Sequence, residues 1–349
     1  MRKLITHRLF WPIAALVALI ALNAIVRPQF ISITVRDGEL YGALIDILRN
    51  SAPLMLVALG MTIVIATRGI DLSVGAIMAV SGAVALTIID TSGDPEALGT
   101  VAIALVVGIL VALVLGVWNG FLVAVLGIQP IIATLVLMLA GRGMALLITE
   151  GFITTVTSAP YKFIATGYVI GLPFALFISV AAIVVIALIE RRTALGVLTE
   201  AVGINPEASR LAGVRSRGIV FGAYVTSGLL AGMAGILYSS NIMAADANAT
   251  GLYIELYAIL AVVLGGTSLM GGKFTIAGTV VGVFTIQTLR STILFLGVPS
   301  AQAPVVFAAV VIIVVLVQSP RVHRAARKVI HSMRTSGRTG TTTRTETAS

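Results

Sequence analysis

Long apolar runs separated by brief polar breaks fill the chain from Phe10 to Gln318. A helix rises 1.5 Å per residue, so about 20 apolar residues cross a hydrocarbon layer of about 30 Å. Ten runs approach that length: 10–26, 51–67, 73–90, 98–118, 128–149, 167–189, 218–239, 254–268, 275–290 and 303–318. Several are short or broken by glycine, which suits helices buried in a bundle better than helices that all face lipid. The pattern predicts an all-α polytopic membrane protein of about ten transmembrane helices in a bundle. Residues 1–318 are its membrane domain, and 319–349 form a basic tail too poor in apolar residues to order itself. The first run follows a basic start and carries Ala21 and Ala24, as a signal peptide does. The oily pattern that continues after it makes it a retained first span. Residues 27–50 are mixed, and LYGALIDILRN reads as a short amphipathic helix on the outer face, with Leu40, Leu44, Ile47 and Leu48 on one side.

The longest polar break is 190–217, ERRTALGVLTEAVGINPEASRLAGVRSR. It predicts a short helix with punctuation at both ends. Asn205 is an N-cap type, Pro206 suits the first helical position, and Glu207 lies where the helix dipole favours an anion. Arg210 lies toward the other end, and Gly213 is the residue on which a helix turns off. A rod of roughly 10 Å cannot stand alone and needs a body to lie against. It is either one helical turn in a solvated loop or a docking piece for a soluble partner.

Composition changes the picture in one respect. Charged residues make up 11% of the chain and hydrophobic ones 58%, against about 25% charged in soluble proteins. The mean hydropathy is +1.08. Lipid must solvate most of such a surface. There is no cysteine, and the three histidines (His7, His323, His331) lie in the polar tails. Disulfides, thiolate chemistry and cysteine-based metal sites are excluded. The net charge of +9 is a sorting signal and does not point to nucleic acid. With the N-terminus in the cytoplasm and the spans alternating, seventeen of the 23 lysines and arginines fall on the inner side, as the positive-inside rule requires. Both termini and the 190–217 loop then face inward.

Catalytic signals are missing: there is no HExxH and no nucleophile elbow. GGTSLMGGKF (265–274) resembles a phosphate-binding loop but has Thr267 where the first glycine belongs and Phe274 in place of the hydroxyl residue. The chain therefore has no ATP site of its own, and no metal or cofactor is expected. In TRGIDLSVGA (67–76), Asp71 or Ser73 caps the helix that starts near Val74, or Asp71 meets substrate; Arg68 snorkels to the surface or lines a path. Arg142 sits inside an apolar run, where a central arginine costs about 2.5–3.5 kcal/mol. It either faces the bundle interior, with Glu150, Asp246 or helix-end carbonyls as partners, or reaches headgroups from a helix end. Asn119 and Gln129 are polar points between spans four and five, and Pro130 starts the fifth. Asp246 and Asn248 lie outside, between spans seven and eight, as solvated residues or as contacts for an external partner. RGIDLSVG (68–75) and GGKFTIAG (271–278) share Gly-x5-Gly, a weak sign of a duplicated half.

Four ordered stretches carry a family resemblance: GMTIVIATRGIDLSVGAIMAVSGA (60–83), WNGFLVAVLGIQPIIATLVLMLAGRG (118–143), EAVGINPEASRLAGV (200–214) and ELYAILAVVLGGTSLMGGKFTIAGTVVG (255–282). The chain resembles the permease subunits of bacterial ribose-type sugar ABC importers, and among them the galactofuranose permeases. The resemblance implies a subunit of the cytoplasmic (inner) membrane that moves a monosaccharide inward by alternating access. It implies a cytoplasmic ATPase with tandem nucleotide-binding halves, which binds the ATP, and a periplasmic or lipid-anchored sugar-binding protein. It also implies a second permease subunit, either a copy or a sister chain. Ala201, Gly203, Asn205, Ala208 and Gly213 match the family's coupling-loop pattern, with Glu200 and Arg210 in the same stretch. Arg68, Asp71, Asn119, Gln129 and Arg142 become candidates for the translocation path, and Asp246 and Asn248 for contact with the binding protein. Arg68 and Ile131 depart from the family, which usually has a small residue and a phenylalanine there. Two rivals remain. A branched-chain amino acid permease differs in the motif that reads TRGIDLSVG here. An ion-driven transporter would place acids mid-helix, and the pattern sets none near a span centre.

Overall fold

The structure is a computed structural model that describes residues 9–299 and 302–318. The basic tail 319–349 and all three histidines lie outside the described residues. The chain divides into two compact units, Met1–Ser291 and Thr292–Ser349. The second holds the last turn of α12 (Ile276–Phe295) and α13 (Ala303–Gln318), an apolar helix throughout. The sites below belong to the first unit.

Three helices make its centre. α2 (Ala43–Ala66) is apolar on all sides in its second half, and such a helix must be enclosed by other protein; every residue from Leu54 to Ala66 is buried. α10 (Ser216–Ile242) packs against it and, on another side, against α3 (Val74–Asp90). Around them stand α4 (Leu98–Gly120), α5 (Pro130–Ile148) and α7 (Phe174–Arg192). Each keeps an exposed apolar face, such as Ile103, Val106, Leu110 and Val114 on α4. With so few charges to coat it, that face suits lipid. The α4–α10 crossing runs backbone against backbone: a Cβ on Gly228 would come within 2.5 Å of the Gly116 Cα, the close approach that small residues allow between membrane helices.

The remaining helices are α1 (Phe10–Val26), α6 (Ala159–Thr166), α8 (Leu195–Ile204), α9 (Pro206–Leu211) and α11 (Ile254–Leu264). Among the described residues, sheet is confined to three antiparallel pairs of two- or three-residue strands. These are β1 (Thr34–Arg36) with β2 (Glu39–Tyr41), β3 (Thr154–Thr155) with β6 (Ala244–Ala245), and β4 (Tyr168–Val169) with β5 (Leu172–Pro173). Among the described residues, six helices are long and apolar enough to cross a membrane, and Pro12–Val26, Val74–Asp90 and Ile254–Leu264 are shorter apolar helices. The protein is a multi-pass, all-α membrane protein.

Four expectations change. The surface helix expected at 40–50 is the first part of α2, which runs on through Pro53 and buries Ile45 and Ile47. The apolar stretch after 167 begins as the β4–β5 hairpin, and α7 starts only at Phe174. α4 continues into a π turn, Phe121–Val125, so Asn119 lies within a helix and not between spans. The run 254–268 is helical only to Leu264.

Candidate functional site

One end of the bundle carries Arg191, Arg192, Arg210, Arg215 and Arg217 and is called the basic end below. There α8 hands over to α9 at Asn205. The Asn205 Oδ1 accepts the amides of Glu207 at 3.1 Å and Ala208 at 3.0 Å, so it satisfies two of the free donors of a helix start. Pro206 takes the first helical position. At the other end the Val214 amide donates to the Ser209 carbonyl and the Gly213 amide to that of Arg210, both at 3.0 Å. Gly213 sits at φ +87, the left-handed position that closes a helix in this double-bonded way. Arg210 pairs with Glu207 at 2.6 Å on a fully exposed surface. Its guanidinium holds the Glu207 carboxyl below the usual range, first by hydrogen bonding and then by charge. Leu211, and Met270 on the 265–275 loop of the same end, are each more than three-quarters exposed. Ala208 is exposed, Glu200 and Ala201 are half-buried, and Gly203 is buried.

Gly203 is the tightest point of this end. A Cβ there would lie 1.8 Å from the Ala66 carbonyl oxygen and 2.5 Å from the Gly272 nitrogen. The Gly272 amide donates to that same carbonyl at 2.9 Å. Arg68 reaches across the junction from a left-handed backbone, φ 65. Its Nε donates to the Met270 carbonyl at 3.0 Å, and a terminal nitrogen donates to the Ile204 carbonyl. Three stretches distant in sequence thus join in one node: the end of α2, the α8–α9 junction and the 265–275 loop.

From that node the chain turns back into the bundle. Residues 67–73 are not helical. The Asp71 Oδ2 accepts the Ser227 hydroxyl at 2.8 Å, and Ser227 packs against Gly60. Gly60 lies about 9 Å before the end of α2 at 1.5 Å per residue, so Asp71 sits that far inside. The Asp71 Oδ1 accepts the Ser73 amide at 3.0 Å and its hydroxyl at 2.6 Å. The Ser73 Oγ in turn accepts the Asn119 Nδ2 at 2.7 Å. All four residues are 1% exposed or less. Asp71 thus bonds the amide of Ser73, the residue before α3, and bonds across to α10, while the first turn of α3 receives no side-chain cap from either expected residue. Among the described residues no cation pairs with it.

A second stretch enters from the opposite end. α10 stops at Ile242, yet by Gly251 the chain is back against Gly75, whose Cβ would lie 2.4 Å from the Gly251 oxygen. Gly235 of α10 packs on Met78, one turn beyond Gly75, so the descent is about 15 Å. Arg142 holds this stretch: its Nη1 donates to the Ala247 carbonyl at 2.8 Å and to that of Thr250. Its Nη2 and the Glu255 Oε2 both crowd the space above Gly75, at 3.4 Å and 2.9 Å from the same Cβ position. Arg142 therefore faces the interior, on carbonyls and not on Glu150. Non-helical backbone survives at such depth only where protein or water meets its polar groups. Arg142→Met keeps the stem and removes the donors. It is expected to cost about 1–3 kcal/mol and to speed amide exchange across 246–252. Unchanged exchange there would contradict the clamp.

The structure thus gathers Asp71 and Asn119 into one buried node, and Arg142 into a second contact nearby. Gln129 stands apart and exposed at the start of α5, with no side-chain cap bond. Asn248 is exposed and Asp246 half-buried, and the Asp246 Oδ1 accepts the Asn248 and Ala249 amides at the head of the inward stretch. Sequence reasoning missed Ser227, Glu255, Gly251 and Met270. A serine in a helix and a glycine in a loop carry no local mark of the partner they meet.

Residues 43–316 match the family described as branched-chain amino acid transport system / permease component. The fructose import permease protein FruF of Bifidobacterium longum is 42% identical over 328 residues, 92% of this chain and 90% of the relative. The galactofuranose transporter permease protein YtfT of Escherichia coli is 46% identical over 320 residues, 90% and 92% of the two chains. The ribose import permease protein RbsC of Bacillus subtilis is 36% identical over 307 residues, 87% and 91%. No solved structure matches.

Proposed function

The chain belongs to the branched-chain amino acid transport system permease family, as a sugar ABC import permease, and on that premise we propose how it carries out import. It lies in the bacterial cytoplasmic membrane with the basic end and both termini inward. α1, α3, α11 and α13 complete ten crossings with the six long helices. A cytoplasmic ATPase with two nucleotide-binding halves docks on α8–α9, and a periplasmic or lipid-anchored binding protein delivers the sugar at the opposite end. The observation that carries the docking is two exposed apolar side chains at the basic end, Leu211 on the short helix α9 and Met270 on the 265–275 loop, with α9 fixed at both ends and anchored through Gly203. A helix of that length holds its shape only if it is braced, and a braced piece can pass on a push. ATP binding closes the ATPase halves, moves α9 as a rigid lever and switches which end of the path is open.

A second permease subunit, a copy or a sister chain, completes the path. The inward stretch exposes Asn248, Ala249, Leu252 and Tyr253, and lipid cannot satisfy non-helical backbone. That face therefore turns toward the second subunit and the water-filled path between them. The substrate is a monosaccharide of the galactofuranose or ribose kind, met only by weak contacts so that it can leave inward.

Leu211→Asp tests the docking. It is expected to leave the melting temperature of the purified permease unchanged and to remove the ATPase from pull-downs of the complex. Normal co-purification would sink the docking on α9. Uptake of labelled D-galactose, D-fructose, D-ribose and L-leucine by cells with this importer alone tests the substrate class. Leucine uptake without sugar uptake would reverse it.

A further inference from the structure

Arg68 is where the outer surface of the basic end and the interior node come within one side chain of each other. Its backbone belongs to the 67–73 stretch, three residues before Asp71. Its guanidinium is spent on two carbonyls of other stretches, Ile204 at the end of α8 and Met270 on the 265–275 loop. The Ile204 carbonyl is at a helix C-terminus, where a cation is favoured by the dipole. A planar guanidinium holds two acceptors in fixed directions, which a single ammonium does not. The arrangement has to overcome local strain. A non-glycine residue at φ 65 is uncommon and costs about 1 kcal/mol or more. Gly271 gives way to it as well, since a Cβ there would lie 2.3 Å from the Arg68 Cγ. Strain of that kind persists only where the surroundings hold it in place.

The contacts form one continuous line. α9 follows Ile204 directly, Ile204 is tied to Arg68, Arg68 leads through 69–70 to Asp71, and Asp71 is fixed to Ser73 and Ser227. Two residues beyond Ser73, Gly75 touches Gly251 on the inward stretch held by Arg142. We propose that Arg68 is the positioning residue that transmits movement of the α8–α9 docking piece to the 67–73 stretch and thence to the Gly75–Gly251 contact. This rests on α9 being the ATPase docking piece. Arg68 touches no sugar in this role. It ties the soluble-facing lever to the membrane loop, so that one does not move without the other. Without it, α9 still docks and the ATPase still works, but the interior no longer follows.

The test uses the complete complex with its ATPase. The chain has no cysteine, so Asn248→Cys places one thiol on the exposed part of the inward stretch. Its labelling rate by a maleimide is measured with and without ATP plus vanadate. In the otherwise unchanged permease, nucleotide is expected to change that rate about fivefold or more, the low end of measured coupling. Arg68→Met keeps the stem and removes both bonds. It is expected to leave ATPase co-purification and basal ATP hydrolysis intact while nucleotide changes the labelling rate by less than about twofold. A full response in Arg68→Met overturns the proposal. Arg68→Lys, which can hold one carbonyl, should respond at an intermediate level and decides the matter if the methionine variant does not fold: a response equal to that of the arginine chain overturns the proposal then. Failure of the ATPase to co-purify with the arginine chain would instead sink the docking reading beneath it. A complex that binds its ATPase but shows no nucleotide response removes the transmission outright.

Discussion

Replacing Gly203 with alanine is expected to abolish uptake and to lower the stability of the chain by roughly 3 kcal/mol or more. The added methyl group would stand 1.8 Å from one backbone oxygen and 2.5 Å from a backbone nitrogen. Neither atom belongs to a side chain that can swing aside. One ends α2, the most enclosed helix of the bundle, and the other opens the loop toward α12. Accommodation would separate the α8–α9 junction from both and break the Gly272–Ala66 hydrogen bond. Asn205→Ala, two residues along, makes the comparison. It removes a cap from an exposed helix at a cost of about 1 kcal/mol and leaves the node whole. Thermal unfolding of the two variants in detergent should separate them clearly. A Gly203→Ala chain that melts like the parent and transports would show that the node yields, and a yielding node cannot serve as a lever's anchor.

The two ends of α9 were legible because they follow local rules. Asn, Pro and Gly have side-chain and backbone properties that act within a few residues, and the chain uses each where those properties predict. The membrane class was legible for a similar reason, since hydropathy is a sum over neighbours. Depth was not legible. Sequence marks 67–73 and 243–253 as polar breaks, and a polar break ordinarily lies in water. What draws these two inward is a bond from Asp71 to a serine 156 positions away and a pair of carbonyls held by Arg142. Sequence offers carboxylates among the partners of Arg142 because side chains are what a sequence displays. The molecule used backbone carbonyls, which every residue has and none advertises. The same blindness affected the choice between transporter classes. The hydropathy pattern places Asp71 at the edge of a span, yet it lies wholly buried beside the middle of α10. A lack of interior acids therefore no longer argues against ion-driven transport, and family membership now does so alone.

Asp71→Ala is expected to be the most damaging single change to the interior, at about 3–5 kcal/mol from a stranded donor plus a cavity. Asp71 accepts three hydrogen bonds, and their donors differ in what they can do without it. The hydroxyls of Ser73 and Ser227 can rotate to other acceptors. The Ser73 amide cannot, and it would be left buried without a partner. Asp71→Asn distinguishes geometry from charge. Its oxygen still serves Ser73, and its amide nitrogen can donate to a Ser227 hydroxyl that has turned its own hydrogen away. The expected cost is about 1 kcal/mol, with uptake retained. Thermal unfolding and uptake of both variants measure the difference. Should asparagine prove as harmful as alanine, the negative charge itself would be required, and a node held by hydrogen bonds alone would be the wrong description of what fixes this loop inside the membrane.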